Sequence, residues 1–121
     1  MKYMLLFIKN EDVVYDVDTQ TAHYAAIDEW FAEIGRDGKL RGGEELQPSN
    51  TATTIRFEAG RPLVTDGPFV ESKENVAGFV TIDVADLDEA IAIAKKWPPK
   101  DQAVEIRPVV DHENMPNHPV G

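Results

Sequence analysis

A chain of 121 residues with 42% hydrophobic and 28% charged side chains reads as one globular domain with a single modest core. Its formal net charge of −10 argues against non-specific contact with nucleic acid or an anionic membrane, so neither is expected as a partner. The lack of cysteine excludes a disulfide framework, a thiolate nucleophile and a Cys-ligated metal, and fits a cytoplasmic protein.

Residues 3–8, Tyr-Met-Leu-Leu-Phe-Ile, predict a first strand that is apolar on both faces. Tyr3, Leu5 and Phe7 point one way and Met4, Leu6 and Ile8 the other, so both sides need a cover. The apolar run is too short to span a membrane, and no small-residue cleavage site follows it. After an acidic connection, Asp18-Thr19 reads as the start of a helix over 19–36. Tyr24, Ile27, Phe31 and Ile34 mark its apolar stripe, with His23 and Trp30 on the flank.

Leu40–Gln47 predicts a short strand loosened by Gly42-Gly43. Thr53–Glu58 and Arg61–Thr65, joined at Ala59-Gly60, predict a hairpin. Thr65–Glu74 (TDGPFVESKE) follows as a stiff, polar loop, because Asp-Gly permits a positive φ and Pro68 fixes its own. Val76–Val84 predicts a strand with Val76, Gly78, Val80, Ile82 and Val84 on one face. Asp86 with Glu89 opens a second helix that Pro98-Pro99 closes, and Ala103–Val109 is the last strand. The domain therefore covers residues 1–110, with 111–121 as a tail.

The order β-α-β, hairpin, β-α-β predicts an α+β, ferredoxin-like sandwich, with two helices on one face of an antiparallel sheet. The helices cover one face only. Burial of about six apolar side chains on the other, at ~1.5–3 kcal/mol each, favours a homodimer through the sheet faces.

Asp66, Gly67, Pro68, Phe69, Glu71, Lys73 and Glu74 form a DGPF-x-E-x-K-E pattern. With the Gly-Gly-Glu-Glu-Leu segment at 42–46, Ala77-Gly78-Phe79 and the run from Val104 to Val109, it resembles the DGPF group of the YCII-related family over nearly the whole chain. The resemblance implies a dimeric α/β barrel, sheet facing sheet. It also implies a catalytic His–Asp pair, and His23 is the one histidine in a comparable early-helix position. Relatives resemble domains associated with sigma factors, which implies the alternative of a non-catalytic regulatory or protein-interaction module.

His23 is the candidate base, since histidine is suited to carry protons near neutral pH. Asp66 from the loop is its candidate partner, with Asp37 offered by sequence order; Asp66 could equally serve to cap the turn. Phe69 reads as a core plug or a pocket wall, and Glu71, Lys73 and Glu74 as an ion-pair lattice, with Glu71 and Lys73 otherwise as ligand contacts. Arg107 reads as a clamp for an anionic group or as the ion-pair partner of Glu105, with Arg56 nearby. His112 and His118 match no metal-ligand spacing, and no phosphate loop, nucleophile elbow or dinucleotide fingerprint occurs, so neither metal nor cofactor is expected. The expected function is binding of a small anionic or carbonyl-bearing molecule near the loop, with cofactor-free acid–base chemistry if a reaction occurs.

Overall fold

A computed structural model describes residues 1–114 of the chain. The elements are β1 (Lys2–Asn10), α1 (Val17–Arg36), β2 (Leu40–Glu45), β3 (Thr53–Glu58), β4 (Arg61–Asp66), β5 (Glu74–Asp83), α2 (Leu87–Lys95) and β6 (Ala103–Pro108). Four strands form one antiparallel sheet in the order β2-β5-β1-β6, while β3 and β4 pair separately as a ribbon. The fold is α+β. The larger sheet is open, with β2 and β6 as its edges, so one chain by itself closes no barrel. No helix among the described residues is long and apolar enough to cross a membrane.

The core grows from β1. Tyr3 and Leu5 lie opposite Ile82 and Val80 on β5, while Leu5 and Phe7 lie opposite Ile106 and Val104 on β6. Directly opposed residues share a sheet face, so these side chains form one apolar surface. Trp30 and Ile34 of α1, Ala90 of α2 and Trp97 close over it. Trp97 stacks on Phe7 with centroids 3.8 Å apart, and Trp30 meets Trp97 edge-on at 5.0 Å. Both indole N–H groups are satisfied, one donating to the Ile93 carbonyl at 3.1 Å and the other to Gln102 Oε1 at 3.1 Å.

Helix α1 starts earlier than the Asp18-Thr19 signal suggested. Asp16 is the cap, its carboxylate accepting from the Thr19 N–H at 2.7 Å, which leaves Asp18 to favour the positive end of the helix from the first turn. At α2 the expected cap forms: Asp86 accepts from the Glu89 N–H at 2.9 Å, and Glu89 accepts from the Ala85 N–H at 3.0 Å.

One strand departs from simple alternation. Phe7 lies opposite Gly78, yet Ile8 lies opposite Val76, so Ala77 is an extra residue on β5. This bulge turns Val76 away from the Val80–Ile82 face on which period-two spacing placed it. The helix-free face consequently holds Leu6 opposite Phe79 and Ile8 opposite Val76, half-exposed, with Glu44 opposite Phe79 and Glu105 opposite Leu6 at its margins.

Two glycines set the spacing of β2 and β5. A Cβ on Gly43 would meet the Phe79 carbonyl oxygen at 2.5 Å, and one on Gly78 would meet the Glu44 carbonyl oxygen at 2.8 Å. Neither position has room for a side chain. Of the two glycines that looked like loosening in the sequence, Gly43 is a requirement of close strand approach, while a Cβ on Gly42 would meet nothing within 4 Å.

The β3–β4 ribbon turns at Ala59 and Gly60, both at positive φ (48° and 79°), the two-residue geometry that matches strand twist. Ile55 and Phe57 lie opposite Val64 and Pro62, forming one apolar face. The loop after β4 folds back over the other face. Gly67, at φ 108°, donates its N–H to the Ala52 carbonyl at 2.7 Å, and its own carbonyl accepts from Thr54 Oγ1 at 2.7 Å. Arg56 donates to the Phe69 carbonyl at 2.8 Å and lies 4.5 Å from the centroid of the Phe69 ring. Phe69 is 66% exposed, so it clasps Arg56 and does not plug the core.

Candidate functional site

A cleft of about 1170 Å³ opens between the first half of α1 and the neighbouring ends of β1, β2 and β5. The end of the DGPF signature loop (residues 65–74) and the segment from Trp97 to Gln102 complete its walls. It exists because α1 packs tightly through Trp30 and Ile34 near its C-terminal end, while its N-terminal half presents smaller or polar groups to the sheet. Phe7, Phe31 and Trp97 supply its apolar floor, and His23, Tyr15 and Tyr24 its polar wall.

His23 is half-buried and meets the Tyr15 ring edge-on, centroids 4.6 Å apart at 85°. Tyr15 donates its hydroxyl hydrogen to Asp101 Oδ2 at 2.6 Å, and the Lys9 ammonium stands 5.4 Å from its ring centroid. Burial and the bond to Asp101 hold the Tyr15 phenol above its ordinary range. Tyr24, one residue beyond His23, donates to Glu45 Oε1 at 2.7 Å across the cleft, and that carboxylate raises the Tyr24 phenol likewise. The imidazole therefore sits among aromatic groups whose positions are fixed from β1, β2 and the approach to β6.

Glu11 organises the opposite rim. Its carboxylate accepts from the Ser49 hydroxyl, from the Ser49 N–H at 2.9 Å and from the Asn75 amide at 2.6 Å. Its backbone N–H donates to the Lys73 carbonyl at 2.8 Å. These bonds to Ser49 and Asn75 hold the Glu11 carboxyl below its usual range. One carboxylate so fastens both the Pro48–Thr51 turn and the exit of the signature loop beside the cleft.

The residues singled out from sequence divide in two. His23, Glu71 and Lys73 line the cleft. Lys73 pairs with Asp12 at 3.3 Å on the surface, in place of the lattice expected with Glu71 and Glu74. Asp66 lies at the end of β4 opposite Thr53, and Phe69 lies under Arg56; neither lines the cleft. Asp37 is the C-cap of α1, at the far end of the helix from His23. Arg107 binds Glu105 at 2.7 Å on the edge strand and also stands outside the cleft. His118 lies outside the described residues. Among the described residues, no group of three or more His, Cys, Asp or Glu is placed to hold a metal ion.

Glu11, Tyr15 and Asn75 escaped notice in the sequence, and Tyr24 was read there only as part of an apolar stripe. Their roles depend on partners 21 to 86 positions away, such as Tyr15 with Asp101, and no local spacing encodes those. The one local signal was Tyr15 itself, an aromatic just before the helix cap that folds back over the first turns.

Residues 1–113 match the YCII-related domain. An uncharacterized protein of Rhizobium meliloti (strain 1021) is 38% identical over 88 residues, which cover 70% of this chain and 68% of that one. The matched span contains β1 with its buried face, the helix bearing His23, the glycine pair that brings β2 against β5, and the loop that clasps Arg56. The chain belongs to the YCII-related family.

Proposed function

We propose that the cleft binds a small carbonyl-bearing molecule and that His23 moves a proton on it without a cofactor. The observation that carries this reading is the placement of a half-buried imidazole in the wall of a large, partly apolar cleft, oriented by an aromatic neighbour. The orienting task read for Asp66 falls to Tyr15, held in turn by Asp101. Lys9 and Lys73 are the cationic groups beside the cleft, against six carboxylates (Glu11, Asp12, Asp28, Glu44, Glu45 and Glu71). That balance favours a neutral carbonyl compound over the anion also considered, and gives Lys9 the part of steadying a developing enolate oxygen. Two copies of the chain join through their helix-free sheet faces as ferredoxin-like halves of one barrel. The half-exposed apolar row of Met4, Leu6, Ile8 and Phe79 supports this arrangement.

The test is exchange of deuterium from solvent into the carbon next to the carbonyl, followed by proton NMR over a panel of small ketones and aldehydes. Wild-type protein should catalyse exchange on one or a few of them, and His23→Ala should slow it ~10²–10⁴-fold while retaining the compound. Equal rates in both proteins would remove His23 from the chemistry.

A further inference from the structure

The β3–β4 ribbon has an unusual position for a two-stranded element. A ribbon of this size is at best marginally stable in water unless something covers it. Its strands pack principally on each other, and the signature loop covers only the face that carries Thr54 and Arg56. The other face is bare and apolar. Phe57 is 72% exposed, Val64 61% and Ile55 55%, and Pro62 lies opposite Phe57.

We propose that this ribbon is an arm that grips a second copy of the same chain. Its Ile55–Phe57–Val64 face lies against the partner copy outside the central Leu6–Phe79 row through which the sheet faces pair. The proposal rests on the two-copy reading above and adds a second, separable element to that interface. Three observations select a second copy as the occupant.

The first is area. An aromatic side chain buries ~150–250 Å², so Phe57 offers on the order of 140 Å². With Ile55 and Val64 the arm offers roughly 300 Å², at the lower end of the largest apolar patches that monomers expose, which are often functional. Two arms, each meeting an equal area of the other copy, bury roughly 1,200 Å² in total, within the range of stable complexes. The second is that one partner serves both bare surfaces of the chain. Face-to-face pairing of the apolar rows brings two copies together, and the same two-fold axis sets each arm against the other copy. A foreign partner would have to bring two matching surfaces of its own. The third is that the signature loop stiffens the arm from its base through the Arg56 clasp and the Gly67 bonds. A ribbon held in a fixed direction loses little freedom on docking.

Sedimentation equilibrium on the full chain tests this, with wild type, an Ile55→Asp/Phe57→Asp double variant and Leu6→Arg. Both arm residues are mostly exposed within one chain, so the double variant should keep its far-ultraviolet spectrum. Wild type should have the mass of two chains, and the double variant should dissociate at least about a hundredfold more readily. A double variant that associates as tightly as wild type, while Leu6→Arg comes apart, overturns the arm and leaves the sheet-face pairing standing. A wild type of single-chain mass at high concentration overturns both.

A second readout needs no destabilising charge. The chain has no cysteine, so Val64→Cys, on the same face, carries a unique thiol and leaves Phe57 in place. Its alkylation should be slow in concentrated protein and quicken on dilution. Alkylation that is fast at every concentration would also overturn the arm.

Discussion

The close approach of β2 to β5 gives the sharpest stability prediction. In Gly43→Ala the new Cβ lies 2.5 Å from the Phe79 carbonyl oxygen and 3.1 Å from Val80 Cα. Carbon–oxygen contacts between strands settle near ~3.3–3.6 Å, so β2 must retreat by close to an ångström. Ladder hydrogen bonds of ordinary length tolerate little of that, and each one lost costs about 0.5–1.5 kcal/mol. The obstacle is backbone, so no side-chain rotation relieves it. Together the terms amount to about 1–3 kcal/mol, the usual cost of forcing extra volume into a packed site. For a domain of this size that lowers the melting temperature by roughly 4–15 °C.

The assay is thermal unfolding followed by circular dichroism, with Gly35→Ala as the control. A Cβ on Gly35, in the last turn of α1, meets nothing within 4 Å, and alanine in a helix is favoured over glycine by about 0.5–1 kcal/mol. Gly35→Ala should therefore melt at or slightly above wild type. If Gly43→Ala melts as high as Gly35→Ala, the strands can separate freely and the close-approach argument is wrong.

Two further substitutions probe the core and the cleft rim. Trp97→Ala removes the ring stacked on Phe7 and edged by Trp30, and should cost about 3–5 kcal/mol in denaturant unfolding; a loss under ~1 kcal/mol would mean the triad adds little. Glu11 has a lowered folded-state carboxyl pKa, so its contribution is present above the unfolded value near 4.5 and fades as pH falls through the folded value. Glu11→Gln should therefore destabilise the chain at neutral pH and flatten its acid unfolding profile; parallel profiles for the two proteins would contradict this.

The strong periodic segments were legible in the sequence because they are one-dimensional. The alternating run of β1, the stripe of α1 and the Asp86–Glu89 cap each follow from spacing within a dozen residues. What spacing could not reach was any feature that depends on two distant segments. The bulge at Ala77 is visible only as a mismatch between β1 and β5, and it moved Val76 to the other face. The signature loop drew attention by its composition, yet its first half serves the ribbon, where Asp66 and Phe69 sit, and only its exit reaches the cleft. His23 stood out by residue type. Tyr15, whose ring meets it edge-on, is held by an aspartate 86 positions away.

Glu11 places an unusual constraint on any change of shape in this molecule. The turn at Ser49 and the loop exit at Asn75 share one carboxylate, so releasing either one removes a donor from the group that holds the other. A compound that pushes on either segment is felt by the other. Since the loop continues back to the Arg56 clasp, the cleft and the ribbon lie along one connected thread of hydrogen bonds and backbone. Occupancy of the cleft and the set of the arm are thus quantities that should be measured together.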